Sequence, residues 1–113
     1  MWLIKDQITL EELKKMALIK FGELVKAVVD VEKEVMAVDG DLHADEEALL
    51  IKNGSKQEDL WGINLYPEIA GDDWIEFDSM INVRPAQGNH SCSVDNPDVR
   101  KKIIAVVNKL VKK

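Results

Sequence analysis

Cysteine is nearly absent from this chain of 113 residues, which contains only Cys92. One thiol cannot form an internal disulfide, and any site that requires several thiolates is excluded. Long apolar runs are also absent: no stretch of about 18 apolar residues is present to span a bilayer. Only four residues precede the first charge, too few for the core of a signal peptide. We therefore expect a cytoplasmic protein without a membrane partner.

Aromatic residues are scarce as well, with six in the chain, and none is interleaved with the basic residues near the end. The net charge is −6, but residues 96–113 carry six basic groups and one acid. The acidic bulk should repel nucleic acid, and a base-stacking platform is not expected. The basic groups are better explained as the solvated face of a terminal helix. They are Arg100, Lys101, Lys102, Lys109, Lys112 and Lys113.

The overall composition is that of a folded globular chain. Hydrophobic residues make up 46% and charged residues 32%, far from the composition of disordered proteins. No internal repeat, low-complexity tract or linker divides the sequence. We expect residues 1–113 to form a single domain.

Hydrophobic periodicity predicts the first elements. Thr9 and Glu12 form a capping-box pattern, and apolar residues then recur at helical spacing until Gly22. In "ELVKAVVDV" the period changes to two, which predicts a strand, and "EVMAV" is its expected partner. The pair Asp39-Gly40 that follows is typical of a tight turn.

The second half of the sequence is less uniform. "ADEEALLIKNG" predicts a short helix with Asp45 at its N-terminus, although "ALLIK" could instead pair with "SKQEDLWGINLY" in a hairpin about Asn53-Gly54. "LWGINLY" and "DWIEFDSMINVR" predict two further strands. Asn96 and Pro97 then begin a last helix. The order α-β-β-α-β-β-α predicts an α+β fold, with a mostly antiparallel four-stranded sheet and helices packed on one face.

The stretch "DGDLHADEE" places acidic or imidazole groups on every second residue from Asp39 to Glu47. A calcium loop of the EF-hand type is excluded, because neither register provides the required glycine and glutamate. A mixed nitrogen and oxygen site could use His43, Asp45, Glu47 and the distant His90. The simpler interpretation is a turn followed by a helix cap, so we predict no metal and leave cofactors undefined.

Catalytic motifs are missing. Cys92 lies near His90, but a catalytic pair also needs a third group that orients the base. Ser79 lacks the flanking glycines of a nucleophile elbow, and no phosphate loop or dinucleotide fingerprint is present.

The best remaining constellation lies at the end of the last predicted strand and in the long loop that follows. It consists of Asn82, Arg84, Gln87 and Asn89. Arg84 could bind a carboxylate or phosphate with both guanidinium nitrogens, with the amides around it as further donors. Long irregular loops often carry binding sites. The alternative is that Arg84 pairs with one of the many acids of the chain.

Four stretches resemble a small family of hypothetical prokaryotic proteins known only as a domain of unknown function. They are "FGELVKAVVDV", "DLHADEEALL", "GSKQEDLWGINLYPE" and "IEFDSMINVRPAQGN". The resemblance extends from Ile8 to Leu110. It implies one compact domain and assigns no activity, cofactor or catalytic residue.

Two functions of different class fit these observations. The first, which we favour, is a non-enzymatic binding or interaction module, in which sheet edges could pair two copies of the chain into a homodimer. The second is a small enzyme that acts on a phosphorylated or carboxylated metabolite. Arg84 would bind the anion, and His43 or Asp45 would serve as acid or base, with or without a metal. The partner is accordingly either another protein or a small anionic ligand.

Overall fold

The computed structural model describes all residues 1–113 and has an α+β fold, as predicted. The helices are α1 (Leu10–Lys20), α2 (His43–Lys52) and α3 (Pro97–Leu110). The strands are β1 (Trp2–Ile4), β2 (Ile8–Thr9), β3 (Val25–Asp30), β4 (Val35–Val38), β5 (Leu60–Leu65), β6 (Ile75–Glu76) and β7 (Val111–Lys112). Short 3-10 turns lie at Gln57–Asp59, Asp72–Trp74, Met80–Asn82 and Pro85–Gln87.

The main sheet has five strands in the order β1-β4-β3-β5-β6, and all neighbours are antiparallel. The prediction of a mostly antiparallel sheet is confirmed, but the sheet has one more strand than expected. The additional strand is β1, which is too short to show an alternating pattern. Strands β2 and β7 form a separate two-stranded parallel sheet.

The helices lie on both faces of the main sheet, not on one as predicted. Strands β1 and β3 both run antiparallel to β4, so they are parallel to each other and are joined through α1. Strands β4 and β5 are likewise parallel to each other and are joined through α2. Both connections move the same way across the sheet, but their strands point in opposite directions. Since such connections are right-handed, the two helices must lie on opposite faces.

Two hydrophobic clusters correspond to these two faces. The larger contains 21 buried residues from the sheet, α1 and α3, including Leu13, Ile103 and Leu110. The smaller lies under α2 and contains Val28, Ala37, Leu50 and Leu60. Strand β3 contributes to both clusters, which explains why four of its six residues are apolar.

The predicted helix caps are present in α1 and α3. Thr9 and Glu12 form both hydrogen bonds of the capping box, each at 3.1 Å. Asn96 accepts from the backbone N–H of Asp98, and Pro97 is the first helical residue.

In the uncertain segment at residues 45–53, residues 45–52 are helical, Asn53 is the C-cap, and α2 begins at His43. Asp45 therefore lies inside the first turn and does not cap it. Leu42 occupies the N-cap position without a side-chain hydrogen bond. Asp39 has a left-handed φ of 65°, as a turn residue can, but the turn leads from β4 into α2.

The predicted strand "DWIEFDSMINVR" is largely absent. Only Ile75 and Glu76 pair with β5, and the chain then forms a 3-10 turn at whose start the Ser79 hydroxyl accepts the N–H of Ile81. Beyond Glu76, the edge of β5 must therefore find hydrogen-bond partners other than a strand.

Candidate functional site

Asn82 lies beside β5, where β6 has ended. Its Oδ1 accepts the N–H of Gly62 at 2.8 Å, and its Nδ2 donates to the Gly62 carbonyl at 2.9 Å and to the Cys92 carbonyl at 3.0 Å. The side chain is fully buried. One asparagine thus provides the hydrogen bonds that a neighbouring strand would provide, and its amide is not free for a ligand.

Asn89 and Gln87 are also engaged within the protein. Asn89 is buried; its Nδ2 donates to the carbonyls of Asn82 and Ser93, both at 2.7 Å, and its Oδ1 accepts from the N–H of Asp95. Gln87 is exposed and donates to the Glu58 carbonyl at 3.1 Å. These amides connect the long loop to other parts of the chain.

Arg84 lies next to Asn82, and its side chain points into the protein. Its Nε donates to the Ile81 carbonyl at 3.0 Å, and its Nη2 donates to the Leu60 carbonyl and lies 3.4 Å from a carboxylate oxygen of Glu47. Both side chains of this ion pair are mostly buried, with 10% and 14% exposed. Burial lowers the pKa of Arg84, with the Glu47 carboxylate opposing this effect.

The Arg84 guanidinium also stacks over the ring of Trp61, 4.9 Å from its centroid. Its Nη1 is buried without a hydrogen-bond partner. The Arg84 guanidinium therefore connects β5 to α2, with its Nε and Nη2 already engaged by groups of the protein.

His43 is the first residue of α2, and its Nε2 lies 2.8 Å from the Ile63 carbonyl. A carbonyl only accepts hydrogen bonds, so Nε2 carries a proton and Nδ1 is the nitrogen that can gain one. Burial lowers the pKa of His43, and the nearby charge of Lys26 acts in the same direction. The imidazole is therefore neutral near pH 7.

The predicted metal candidates do not converge. His43 faces β5, Glu47 pairs with Arg84, and His90 lies in the exposed loop beyond Asn89. Asp45 lines a cavity of about 450 Å³ on another side of α2. No group of three or more His, Cys, Asp or Glu side chains is placed to hold a metal ion.

The stretch "DGDLHADEE" instead forms the charged loop before α2 and the first turn of that helix. Lys20 lies 3.6 Å from the carboxylate of Asp39 and 3.2 Å from that of Asp41, and it donates to the Asp39 carbonyl at 2.7 Å. These contacts connect the C-terminal end of α1 to the loop before α2. They pair two of the alternating acids, Asp39 and Asp41, with a lysine of the same chain.

Glu46 is a buried acid that the sequence analysis did not single out. Its Oε2 accepts the N–H of Gly40 at 2.9 Å, and its Oε1 has no partner. Burial raises the pKa of Glu46 to about 9, so its side chain is protonated near neutral pH. A Cβ on Gly40 would lie only 2.6 Å from Glu46 Cγ, so this position requires glycine for reasons of space.

A polar row crosses the sheet near His43. Lys26, Asn64 and Glu76 stand opposite one another on β3, β5 and β6. Asn64 donates to the Glu76 carboxylate at 2.9 Å, and Tyr66 donates to the same oxygen at 3.3 Å. The buried Oδ1 of Asn64 has no partner. The alternation within β3 and β6 predicts outward-facing Lys26 and Glu76, but the sequence does not indicate that they align.

An apolar surface at the opposite edge of the sheet was also missed. Trp2 is 53% exposed and Ile19 is 85% exposed. Both line a groove of about 350 Å³ between β1 and α1, which we call the β1 groove. Its complete lining is Trp2, Glu12, Lys15, Met16, Ile19, Lys20 and Asp39. The only sequence signal for it is the pair of apolar residues Leu18 and Ile19 near the end of an otherwise charged helix surface.

Strand β1 is the outermost strand on that side and pairs only with β4. Its outer edge therefore carries no strand partner. Trp2 stands opposite Val38, a residue of the larger cluster, so the indole lies on the α1 face of the sheet. An open edge and an adjacent apolar groove together form a surface that can receive an extended polypeptide.

Helix length gives no sign of membrane insertion, as none of the helices is both long and apolar enough to cross a bilayer. Comparison with curated proteins and with solved structures gives no significant match. Comparison with family models does, and it confirms the resemblance noted in the sequence. Over residues 2–110, the chain belongs to DUF5674, a family of proteins of unknown function.

Proposed function

We propose that the protein is a non-enzymatic binding module that holds an extended segment of a protein chain along β1. The observation that carries this proposal is the open edge of β1 beside the β1 groove. It is the place where unpaired backbone groups and exposed apolar side chains lie together.

Strand addition at this edge has a clear physical basis. An added strand would pair its backbone with the outer edge of β1, replacing hydrogen bonds to water by hydrogen bonds within a sheet. Alternate side chains of that strand would point to the α1 face, where Trp2, Met16 and Ile19 line the groove. Backbone pairing would provide affinity, and the groove would select apolar side chains.

The alternative function, an enzyme acting on an anionic metabolite, has less support. Arg84 already binds two carbonyls and Glu47, so an anion would have to displace internal contacts. Asp45 lies on an exposed part of α2 and does not share a cavity lining with His43. His43 keeps a basic nitrogen, but neither predicted partner accompanies it.

The test is selection from a displayed library of random linear peptides on the immobilised protein, followed by affinity measurement with three chains. These are the wild type, Ile19→Glu and Leu18→Glu. Leu18 is 75% exposed but does not line the groove, so Leu18→Glu is the matched control. We expect peptides with alternating apolar residues that bind the wild type and the control, and at least tenfold weaker binding to Ile19→Glu.

Failure to enrich any peptide, or equal binding to Ile19→Glu and the wild type, would overturn the proposal. Both substitutions are at exposed helix positions, so their effects on stability should stay within about 0.5 kcal/mol. Thermal unfolding of each variant checks this.

A further inference from the structure

Given the proposed binding function, we infer that the extended segment is strand β1 of a second copy of the chain. The two copies would be related by a two-fold axis, and their main sheets would join edge to edge. The partner of the β1 groove is thus this same chain.

The first argument is geometric self-complementarity. A two-fold axis perpendicular to the sheet always makes two identical edge strands antiparallel, as every pair in the main sheet already is. Pairing centred on Leu3 would place Trp2 opposite Ile4 of the partner subunit. Trp2 and Ile4 both lie on the α1 face, since both stand opposite residues of the larger cluster. Apolar residues would therefore meet apolar residues.

The second argument is charge. The chain carries a net charge of −6, which opposes association of two copies over most of the surface. The charged lining of the β1 groove is balanced, with Lys15 and Lys20 against Glu12 and Asp39. A two-fold axis can bring a base of one copy near an acid of the other. A strongly basic or strongly acidic partner would gain nothing from such a balanced lining.

The third argument is the apolar surface that remains uncovered. Met1 and Trp2 are each 53% exposed, and Ile19 on the facing helix is 85% exposed. Ile19 lines the same groove as Trp2, so a strand added along β1 would bring its side chains on the α1 face towards this groove. One contact would thus cover the exposed side chains and pair the open edge.

The experiment is sedimentation velocity of the wild type over a range of concentrations from about 1 to 100 μM, a span that covers typical weak dimers. Ile19→Glu, Lys15→Glu and the control Leu18→Glu are measured in parallel. We expect a concentration-dependent dimer for the wild type and the control. Dimerisation should weaken at least tenfold for Ile19→Glu, and Lys15→Glu should weaken it in the same direction because it makes the groove lining acidic.

Hydrogen exchange provides the second readout. Amide protection in β1 should rise with protein concentration, while β6 at the other edge should stay unchanged. A wild type that is monomeric throughout would overturn the inference. If the same monomer still bound selected peptides in an Ile19-dependent way, the proposed function would stand with a different partner. A dimer unaffected by Ile19→Glu would also overturn the inference, because it would use another surface.

Discussion

Asn82 meets Gly62 as a neighbouring strand would, accepting its N–H at 2.8 Å and donating to its carbonyl at 2.9 Å. Gly62 permits this approach, because a Cβ at that position would lie 2.5 Å from Ser79 Cβ. The 3-10 turn that carries Asn82 can therefore pack directly against β5. The Asn82 side chain and the lack of a side chain at Gly62 together allow the edge of β5 to form its hydrogen bonds where β6 has ended.

The first prediction concerns this contact. Asn82→Ala leaves the N–H and the carbonyl of Gly62 buried without partners, and each such group costs about 1–3 kcal/mol. We expect the free energy of unfolding to fall by about 2–5 kcal/mol in urea titrations. Asn108→Ala, on the exposed side of α3, is the control and should change it by less than about 0.5 kcal/mol. Equal effects of the two substitutions would show that the contact between Asn82 and Gly62 contributes little to the free energy of unfolding.

The second prediction concerns Arg84 and Glu47. Arg84→Ala leaves the mostly buried Glu47 carboxylate unpaired and should cost about 3–5 kcal/mol. Glu47→Gln should cost less, since the amide can still accept from the guanidinium. In the double variant the two costs should not add, and the coupling should exceed about 0.5 kcal/mol in denaturant unfolding. Additive costs would mean that the pair does not interact.

The third prediction concerns the stability of the protein at acidic pH. The pKa of His43 is lowered from 6.5 in the folded state, chiefly by burial. The folded state therefore binds the proton less readily than the unfolded chain. The resulting stability is present above pH 6.5 and is lost as the pH falls through the folded pKa. His43→Gln keeps an N–H for the Ile63 carbonyl but does not titrate, so its stability should decrease less than that of the wild type on acidification.

The measurement is the free energy of unfolding at several values between about pH 7.5 and 5, the range around the ordinary histidine pKa. His90→Gln is the matched control, because His90 is exposed and its side chain makes no hydrogen bond to the protein. It should follow the wild-type curve. If the His43→Gln and wild-type curves stayed parallel, the neutral buried imidazole would be refuted.

The fourth prediction concerns the stability of the protein at basic pH. Burial raises the pKa of Glu46 from 4.5 to about 9, so the folded state keeps a proton that the unfolded chain releases. Its contribution to stability is full below pH 4.5 and is lost as the pH rises towards 9. Glu46→Gln retains an oxygen for the Gly40 N–H and has no charge to bury. Its stability should therefore exceed that of the wild type increasingly above neutral pH.

Unfolding measured between about pH 6 and 9 tests this, with a difference in slope of at most about 1.4 kcal/mol per pH unit. Glu23→Gln, at an exposed position between α1 and β3, controls for the loss of one negative charge. A Glu46→Gln variant with the same pH dependence as the wild type would contradict a protonated Glu46.

Local sequence signals predicted those helices and strands that are determined by residues close to one another in the chain. The capping box of Thr9 and Glu12 and the Asn96-Pro97 start identified α1 and α3, because a cap acts over three or four residues. Alternation identified β3 and its partner β4. The same signals failed for "DWIEFDSMINVR", where Ser79 begins a 3-10 turn inside a pattern that alternates as a strand would.

The predicted binding residues illustrate a second limit. Asn82, Arg84 and Asn89 have the side chains of a ligand site, and they are neighbours in the structure. Their partners are backbone groups of Gly62, Leu60 and Ser93. Backbone carbonyls and N–H groups are the same at every position, so no residue type in the sequence reveals which of them will need a partner.

The sequence by itself determined the α+β class, the two capped helices, the central apolar strand and membership of the family, since these depend on short-range periodicity or on overall similarity. Only the tertiary structure decided that α2 is a helix on the face opposite α1, that Glu46 is buried, and that Trp2 and Ile19 share a groove at an open edge. These features arise when strands distant in the chain become neighbours. Strand order and right-handed connections then determine which side chains are covered and which remain exposed.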